Sequence, residues 1–422
     1  MCARRRAVRC LQYLAAVPTW TCCLRVVALV ACAQATACRP RTAVPAGSPD
    51  GQLTGDAGPP GDARAVDAAT DALPSDAATG SGHVLYPENL IQSPITSDVA
   101  SALALLAQAP AQDDVFAKVG DSMTASTSFF SCYASGPYDL GARTDLAGSL
   151  DYFLAGSAGG TSPFARVSDA ATGGWTTADV LTGSPDPLDQ ELAAITPRYA
   201  VIQLGTNDLR YGGTVEDFGA DLWTIVDRVR ATGAIPILST IPELEGDPTD
   251  DAQVPLFNRV IRGLAQGRMV PLVDFHLALS ALANDGIGSD GIHPTIDPDG
   301  TCILTTDGLT YGYNQRNLIE LDALDRSRQA VAGTTLDASA PRRAGTGRHA
   351  DPFIAVVPTT DMADTHDGDS SFDSYPPCGL VATGSEVVYR LDLTAATAID
   401  AEVVDQGSTG LDVAILDGAL DP

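Results

Sequence analysis

Four apolar runs of strand length, Val115–Val119, Ala200–Leu204, Ile235–Thr240 and Met269–Asp274, constrain this chain more than any other feature. They are continuous rather than alternating, so each predicts a strand buried on both faces. Between them lie helical patterns, clearest over Val215–Arg230, where Phe218, Leu222, Ile225, Val226 and Val229 recur at helical spacing. Strands of this kind separated by amphipathic helices predict an α/β fold with a parallel sheet covered on both faces. In such sheets the ligand site lies beyond the carboxyl ends of the strands.

Three polar loops follow from that rule. Gly120-Asp121-Ser122 comes directly after the first run, and Gly205-Thr206-Asn207-Asp208 directly after the second. Ser289-Asp290-Gly291-Ile292-His293-Pro294 lies between the last run and a helical stretch from about Tyr311 to Ala330. Each has a bland reading on its own. Gly-Asp-Ser is usually a turn, Asn207 and Asp208 suit the cap of the helix that follows, and Asp290 with His293 suits a solvated loop closed by Pro294. Their joint placement is the informative observation, because a hydroxyl, an amide, a carboxylate and an imidazole converge on one sheet edge. Only His276 and His293 fall in this region. His276, beside Asp274 at the start of a helix, reads as structural.

The order and spacing of these residues resembles the SGNH hydrolases, also called GDSL-type esterases and lipases, over roughly Val115–Ala332. Ser122 matches the first block, with Met123 where leucine or isoleucine is usual. Asn207 matches the third within Gly-x-Asn-Asp, and Asp290 and His293 match the last within Asp-x-x-His-Pro. For the second block, "ATGGWTTADV" offers Gly173 and Gly174, and Gly174 is preferred because Thr176 follows it at the family's offset. The resemblance implies a flavodoxin-like three-layer sandwich around a central parallel sheet. It also implies a serine esterase in which His293 takes the proton of Ser122 and Asp290 holds the other ring nitrogen. The backbone amides of Ser122 and Gly174 and the side-chain amide of Asn207 would form the oxyanion hole. Asp121 and Asp208 are expected to orient their loops. Trp175, Phe129, Phe130 and Tyr133 either line a pocket or pack in the core. Lys118, the sole lysine, lies within a strand, and a serine-lysine dyad explains less than the histidine does.

The chain has no His-Glu-x-x-His and no paired Cys-x-x-Cys, so no metal and no cofactor is expected. The acidic stretch Asp361–Asp373 lacks the ordered spacing of a calcium loop and reads as a solvated linker. With 53 acidic against 25 basic residues and a net charge of -28, the chain repels phosphate backbones and anionic membranes. Nucleic acid is therefore excluded as a partner. A membrane is reached only through a lipid anchor.

The hydrolase domain is placed at residues 83–335. Residues 1–38 read as an export signal of lipoprotein type, with Arg4, Arg5, Arg6 and Arg9 before an apolar stretch that Arg25 interrupts. Leu29-Val30-Ala31-Cys32 has the form of a lipoprotein cleavage box, with Cys32 as the lipidated residue. Ala37-Cys38 is a second candidate, and a plain secretory signal is the alternative. Residues 39–82, rich in Ala, Gly, Pro and Asp, cannot bury enough apolar surface to offset their ordering entropy and are expected to form a tether. A linker at 336–350 leads to residues 351–422. There Val387–Leu393, Ala398–Val404 and Leu411–Leu416 predict strands. This part weakly resembles the first half of a bacterial pre-peptidase C-terminal domain, a partial β-sandwich. The chain stops at Pro422 just after an apolar run, so the domain reads as cut short.

The expected substrate is a small-molecule or polysaccharide ester with a short acyl group, because no long apolar segment near the motifs suggests a lid. A lipid-ester hydrolase and a non-catalytic surface glycan-binding module are the alternatives. An exported protein meets an oxidising compartment, where unpaired thiols are uncommon. Of nine cysteines, Cys132, Cys302 and Cys378 lie beyond Cys38. Cys132 follows Ser122, and Cys302 follows His293, by about ten residues each, and both anchors are expected at one sheet edge. A disulfide between Cys132 and Cys302 is therefore expected, with Cys378 left over.

Overall fold

The computed structural model describes residues 21–25, 82–371, 374–375, 380–381, 384–393, 401–404, 411 and 413–417. The expected tether, Cys32 and Cys378 lie outside the described residues.

The four apolar runs form β1 (Gln112–Gly120), β2 (Pro197–Gln203), β3 (Ile235–Ser239) and β4 (Leu272–Val273). They are hydrogen-bonded in that order and all parallel. Every residue of β2 and β3 is buried, which is why Tyr199–Ile202 and Ile235–Leu238 are apolar in succession instead of alternating, with polar Arg198, Gln203 and Ser239 only towards the strand ends. β4 is shorter than its apolar run, because Met269 takes a left-handed conformation and Asp274 caps the next helix, Phe275–Leu279. On its other edge β1 makes one further parallel contact, in which Gly120 donates to the Ala170 carbonyl and accepts from the Thr172 amide. The chain thus leaves β1 towards one side, at Ala171, and returns on the opposite side as β2. Such a reversal opens a crevice at the carboxyl end of the strand where it occurs.

Helices α1 (Ser97–Leu106) and α4 (Gly312–Val331) pack together, as do α2 (Val215–Ala231) and α3 (Val254–Gly267), which gives three layers. Thr214 caps α2 by accepting the Asp217 amide, and Phe218, Leu222, Ile225, Val226 and Val229 form its buried stripe. Phe129, Phe130 and Tyr133 belong to the core and not to a pocket. Phe116, Phe130, Phe153 and Phe164 meet there edge to face. Among the described residues no helix is long and apolar enough to cross a membrane.

Cys132 and Cys302 are joined by a disulfide, with Cα atoms 5.7 Å apart and a sequence separation of 170. Beside it, Tyr138–Asp139 pairs in parallel with Cys302–Ile303. A second, smaller core forms after residue 350 from Phe353, Ala355, Ala363, Val387, Tyr389 and Leu391. Phe353–Ala355 runs parallel to Tyr389–Asp392, and Thr21–Arg25 lies antiparallel between Tyr389–Asp392 and Ala414–Asp417.

Two expectations are corrected in this region. Residues 401–404, predicted as part of a strand, are irregular, and the last strand starts at Ala414. The acidic stretch is also not merely solvated, because Asp361 accepts from the Arg343 guanidinium, the Tyr389 hydroxyl and the Gln266 amide. A carboxylate held inside the small core needs such partners to offset its lost hydration.

Candidate active site

β1 ends at Gly120, and a Cβ there would lie 2.6 Å from the Gln203 carbonyl oxygen, so the strand packs too closely for any side chain. Asp121 then caps the single helical turn Ser122–Ala125, its Oδ1 accepting the Met123 amide at 2.9 Å. Burial pushes the Asp121 carboxyl up to about 6, although that hydrogen bond and the nearby Arg316 and His293 act in the opposite direction. Ser122, the first residue of the turn, stands at the mouth of the crevice. Its Oγ lies 2.8 Å from Nε2 of His293.

His293 arrives on a loop closed on itself, since the Gly288 amide donates to the His293 carbonyl at 2.8 Å and Ile287 pairs with Pro294. Gly291 is left-handed, and a Cβ there would meet the Gly246 nitrogen at 2.7 Å, so glycine is required. Asp290 Oδ2 lies 2.7 Å from His293 Nδ1, while Oδ1 accepts the Ile292 and His293 amides. Partial burial alone would push this carboxyl up. The bonds from the His293 ring and the two amides outweigh it and hold Asp290 below the ordinary aspartate value. An ionised Asp290 keeps a proton on Nδ1 and leaves Nε2 as the acceptor towards Ser122. The pair is open to solvent, with side-chain exposures of 37% for His293 and 52% for Asp290.

β2 passes into the short helix Thr206–Arg210 through Gly205, at φ +125°, where Phe218 fills the space a side chain would need. Asn207 Nδ2 donates to the Trp175 carbonyl at 3.0 Å, which fixes the amide and leaves its second hydrogen available. Buried Asp208 accepts the Thr177 amide at 3.0 Å and the Thr177 hydroxyl as well. Asn207 and Asp208 therefore hold the segment after Gly174 at two points. Gly174 itself has φ +85°, a conformation that favours glycine. Gly173 lies nearer Ser122, its missing Cβ 3.7 Å from the Ser122 Cβ. Among the described residues neither the Ser122 nor the Gly174 amide donates to a protein acceptor.

The other sequence candidates lie elsewhere. Lys118 is buried and donates to the Phe164 carbonyl at 3.2 Å, and burial lowers it to about 8. His276 Nε2 sits 3.1 Å from Glu243, away from Ser122. Trp175 packs partly buried against the core while its carbonyl serves Asn207. Among the described residues no group of three or more His, Cys, Asp or Glu is placed to hold a metal ion. Sequence reasoning missed Thr177, which ties two site loops together. Its only signal was its place in the same motif, shortly after Gly174 and Trp175.

Residues 119–297 match the GDSL-like Lipase/Acylhydrolase family. No curated protein matches the chain. A GDSL-like lipase from Bacteroides thetaiotaomicron aligns at 15% identity over 55% of this chain and 98% of its own, with a TM-score of 0.35. The psychrotrophic esterase EstA from Pseudoalteromonas sp. aligns at 19% over 53% and 100%, with a TM-score of 0.32. Axe2, an acetylxylan esterase from Geobacillus stearothermophilus, aligns at 17% over 51% and 95%, with a TM-score of 0.35.

Proposed function

We propose, from the membership of residues 119–297 in the GDSL-like lipase/acylhydrolase family, that this chain hydrolyses short-acyl carboxylic esters through an acyl-enzyme on Ser122. The observation that carries the reading is the unbroken relay from Ser122 Oγ to His293 Nε2 at 2.8 Å and from His293 Nδ1 to Asp290 at 2.7 Å. His293 takes the hydroxyl proton as Oγ bonds to the ester carbonyl carbon, and Asp290 stabilises the imidazolium. The carbonyl oxygen becomes negative and is met by the Ser122 and Gly174 amides and the free hydrogen of Asn207. Collapse breaks the ester bond, and the departing alcohol takes the proton from His293. Water then repeats the sequence on the acyl-serine and releases the acid.

Solvent exposure of His293 and Asp290 supports substrates that approach from an open surface, as a short acyl group on a small molecule or a glycan does. Export with lipidation at Cys32 rests on the arginine-led apolar leader and its cleavage box.

A fluorophosphonate probe tests the reading directly. The wild type should be labelled, and Ser122→Ala should not. A panel of nitrophenyl esters should show rates falling as the acyl chain lengthens. A folded wild type that neither labels nor hydrolyses any ester would leave the glycan-binding module as the better account.

A further inference from the structure

Behind the turn that carries Ser122 the molecule buries an arginine. Arg316, on α4, is fully inside at 0% exposure. Its Nη2 donates to Thr124 Oγ1 at 2.9 Å, within the turn Ser122–Ala125. Its guanidinium carbon lies 3.9 Å from the Phe129 ring centre and 5.7 Å from that of Phe275. Nε and Nη1 have no protein acceptor. Two fully buried carboxyls share this space. Asp121 caps the nucleophile turn with Oδ1 while Oδ2 has no donor. Glu320, one helical turn along α4, has both oxygens without a hydrogen-bond partner.

A guanidinium this deep loses its hydration, and apolar side chains of similar volume often fill such a space at less cost. What they lack is a directed donor and a positive charge, and both are aimed here at the nucleophile turn. We propose that Arg316 is a positioning residue, which holds the Ser122 turn in place through its hydrogen bond to Thr124. This rests on the esterase reading of Ser122.

The groups facing Arg316 are Asp121 from the turn, Tyr313 and Glu320 from α4, and Lys118 from β1. His293 and Asp208 also face Asp121. Burial pushes Asp121 up to about 6 and Glu320 up to about 7, and Arg316 opposes the rise in both. Removing this cation therefore favours the protonated form of Asp121, so the acidic limb of the rate profile moves to higher pH.

The test measures kcat and KM for a short nitrophenyl ester from pH 5 to 9, with thermal melts of each variant. Arg316→Met should lower kcat roughly ten- to a hundredfold with little change in KM, as expected for a misplaced reacting group. Its acidic limb should also shift upward. Arg316→Lys, which keeps the charge and loses the fork, should restore the limb and recover only part of kcat. Thr124→Val should lower kcat several-fold, roughly the effect of one lost buried hydrogen bond, while Thr124→Ser should not. A folded Arg316→Met with wild-type kcat and limb overturns the proposal. If that variant fails to fold, a Thr124→Val with wild-type kcat overturns it instead. A wild type inert to all esters and to the fluorophosphonate overturns the esterase reading, and the proposal falls with it. An active wild type matched by its variants overturns the proposal alone.

Discussion

Asn207 has two amide hydrogens and commits one of them to the Trp175 carbonyl. The other is the only side-chain donor assigned to the developing oxyanion. Asn207→Ala should therefore lower kcat by roughly a hundred- to a thousandfold while a fluorophosphonate still finds Ser122. Asp290→Asn should be costly for a different reason, since an amide in that place no longer enforces a proton on Nδ1. Steady-state kinetics should show a loss of roughly a hundred- to ten-thousandfold. Ser122 and Asn207 were legible as candidates because each sits in a short polar motif directly after an apolar run, and Asp290 and His293 because they share one compact motif in the loop after the last run. Arg316 could not. An arginine four residues before a glutamate on a helix has the spacing of a surface ion pair, and only the packed molecule reveals that both are inside.

At the scale of elements, the sheet was legible and so was the extent of α4, read as a helix from about Tyr311 to Ala330, but not which residues of α4 are buried. The buried parts of β1 to β3 lie inside the sheet on both faces and show it as mainly apolar sequence without alternation. The buried side of α4 mixes Asn314, Arg316, Asn317, Glu320 and Ser327 with Tyr313, Ile319, Leu321 and Leu324, so no clean apolar stripe marks which residues face inward. Irregular residues 401–404 show the converse, an alternating stretch that forms no strand among the described residues. The junction between β2 and the Asn207 helix offers a test of how closely element geometry controls the site. Gly205→Ala would place a methyl group 3.1 Å from the Phe218 ring at a φ of +125°. The expected cost is about 1–3 kcal/mol in urea unfolding, with reduced kcat because Asn207 moves with its helix.

At the scale of the whole molecule, the Cys132–Cys302 disulfide and the buried carboxyls Asp121 and Glu320 make stability respond to conditions. Replacing Cys132 and Cys302 by serine should cost about 2–4 kcal/mol in the denaturation midpoint. Activity should persist in the folded fraction, because neither sulfur belongs to the Ser122 relay. Asp121 and Glu320 both titrate higher in the folded protein, at about 6 and about 7, than their ordinary values of 3.8 and 4.5. The stability they contribute is therefore complete below about pH 4 and lost as pH rises through 6 and 7. Urea midpoints at pH 5 and pH 8 should differ less in Glu320→Gln than in the wild type. The sequence separation of 171 from Ser122 to His293 also has a meaning in time. The loop bearing His293 is pinned by α4, through the Gly312 and Tyr313 amides on Thr295. At roughly 5–20 residues per second of synthesis, the nucleophile exists for roughly ten to thirty seconds before its base has even been made. On the esterase reading, a half-built chain on the ribosome therefore carries Ser122 without its base, and the relay closes only once α4 has docked.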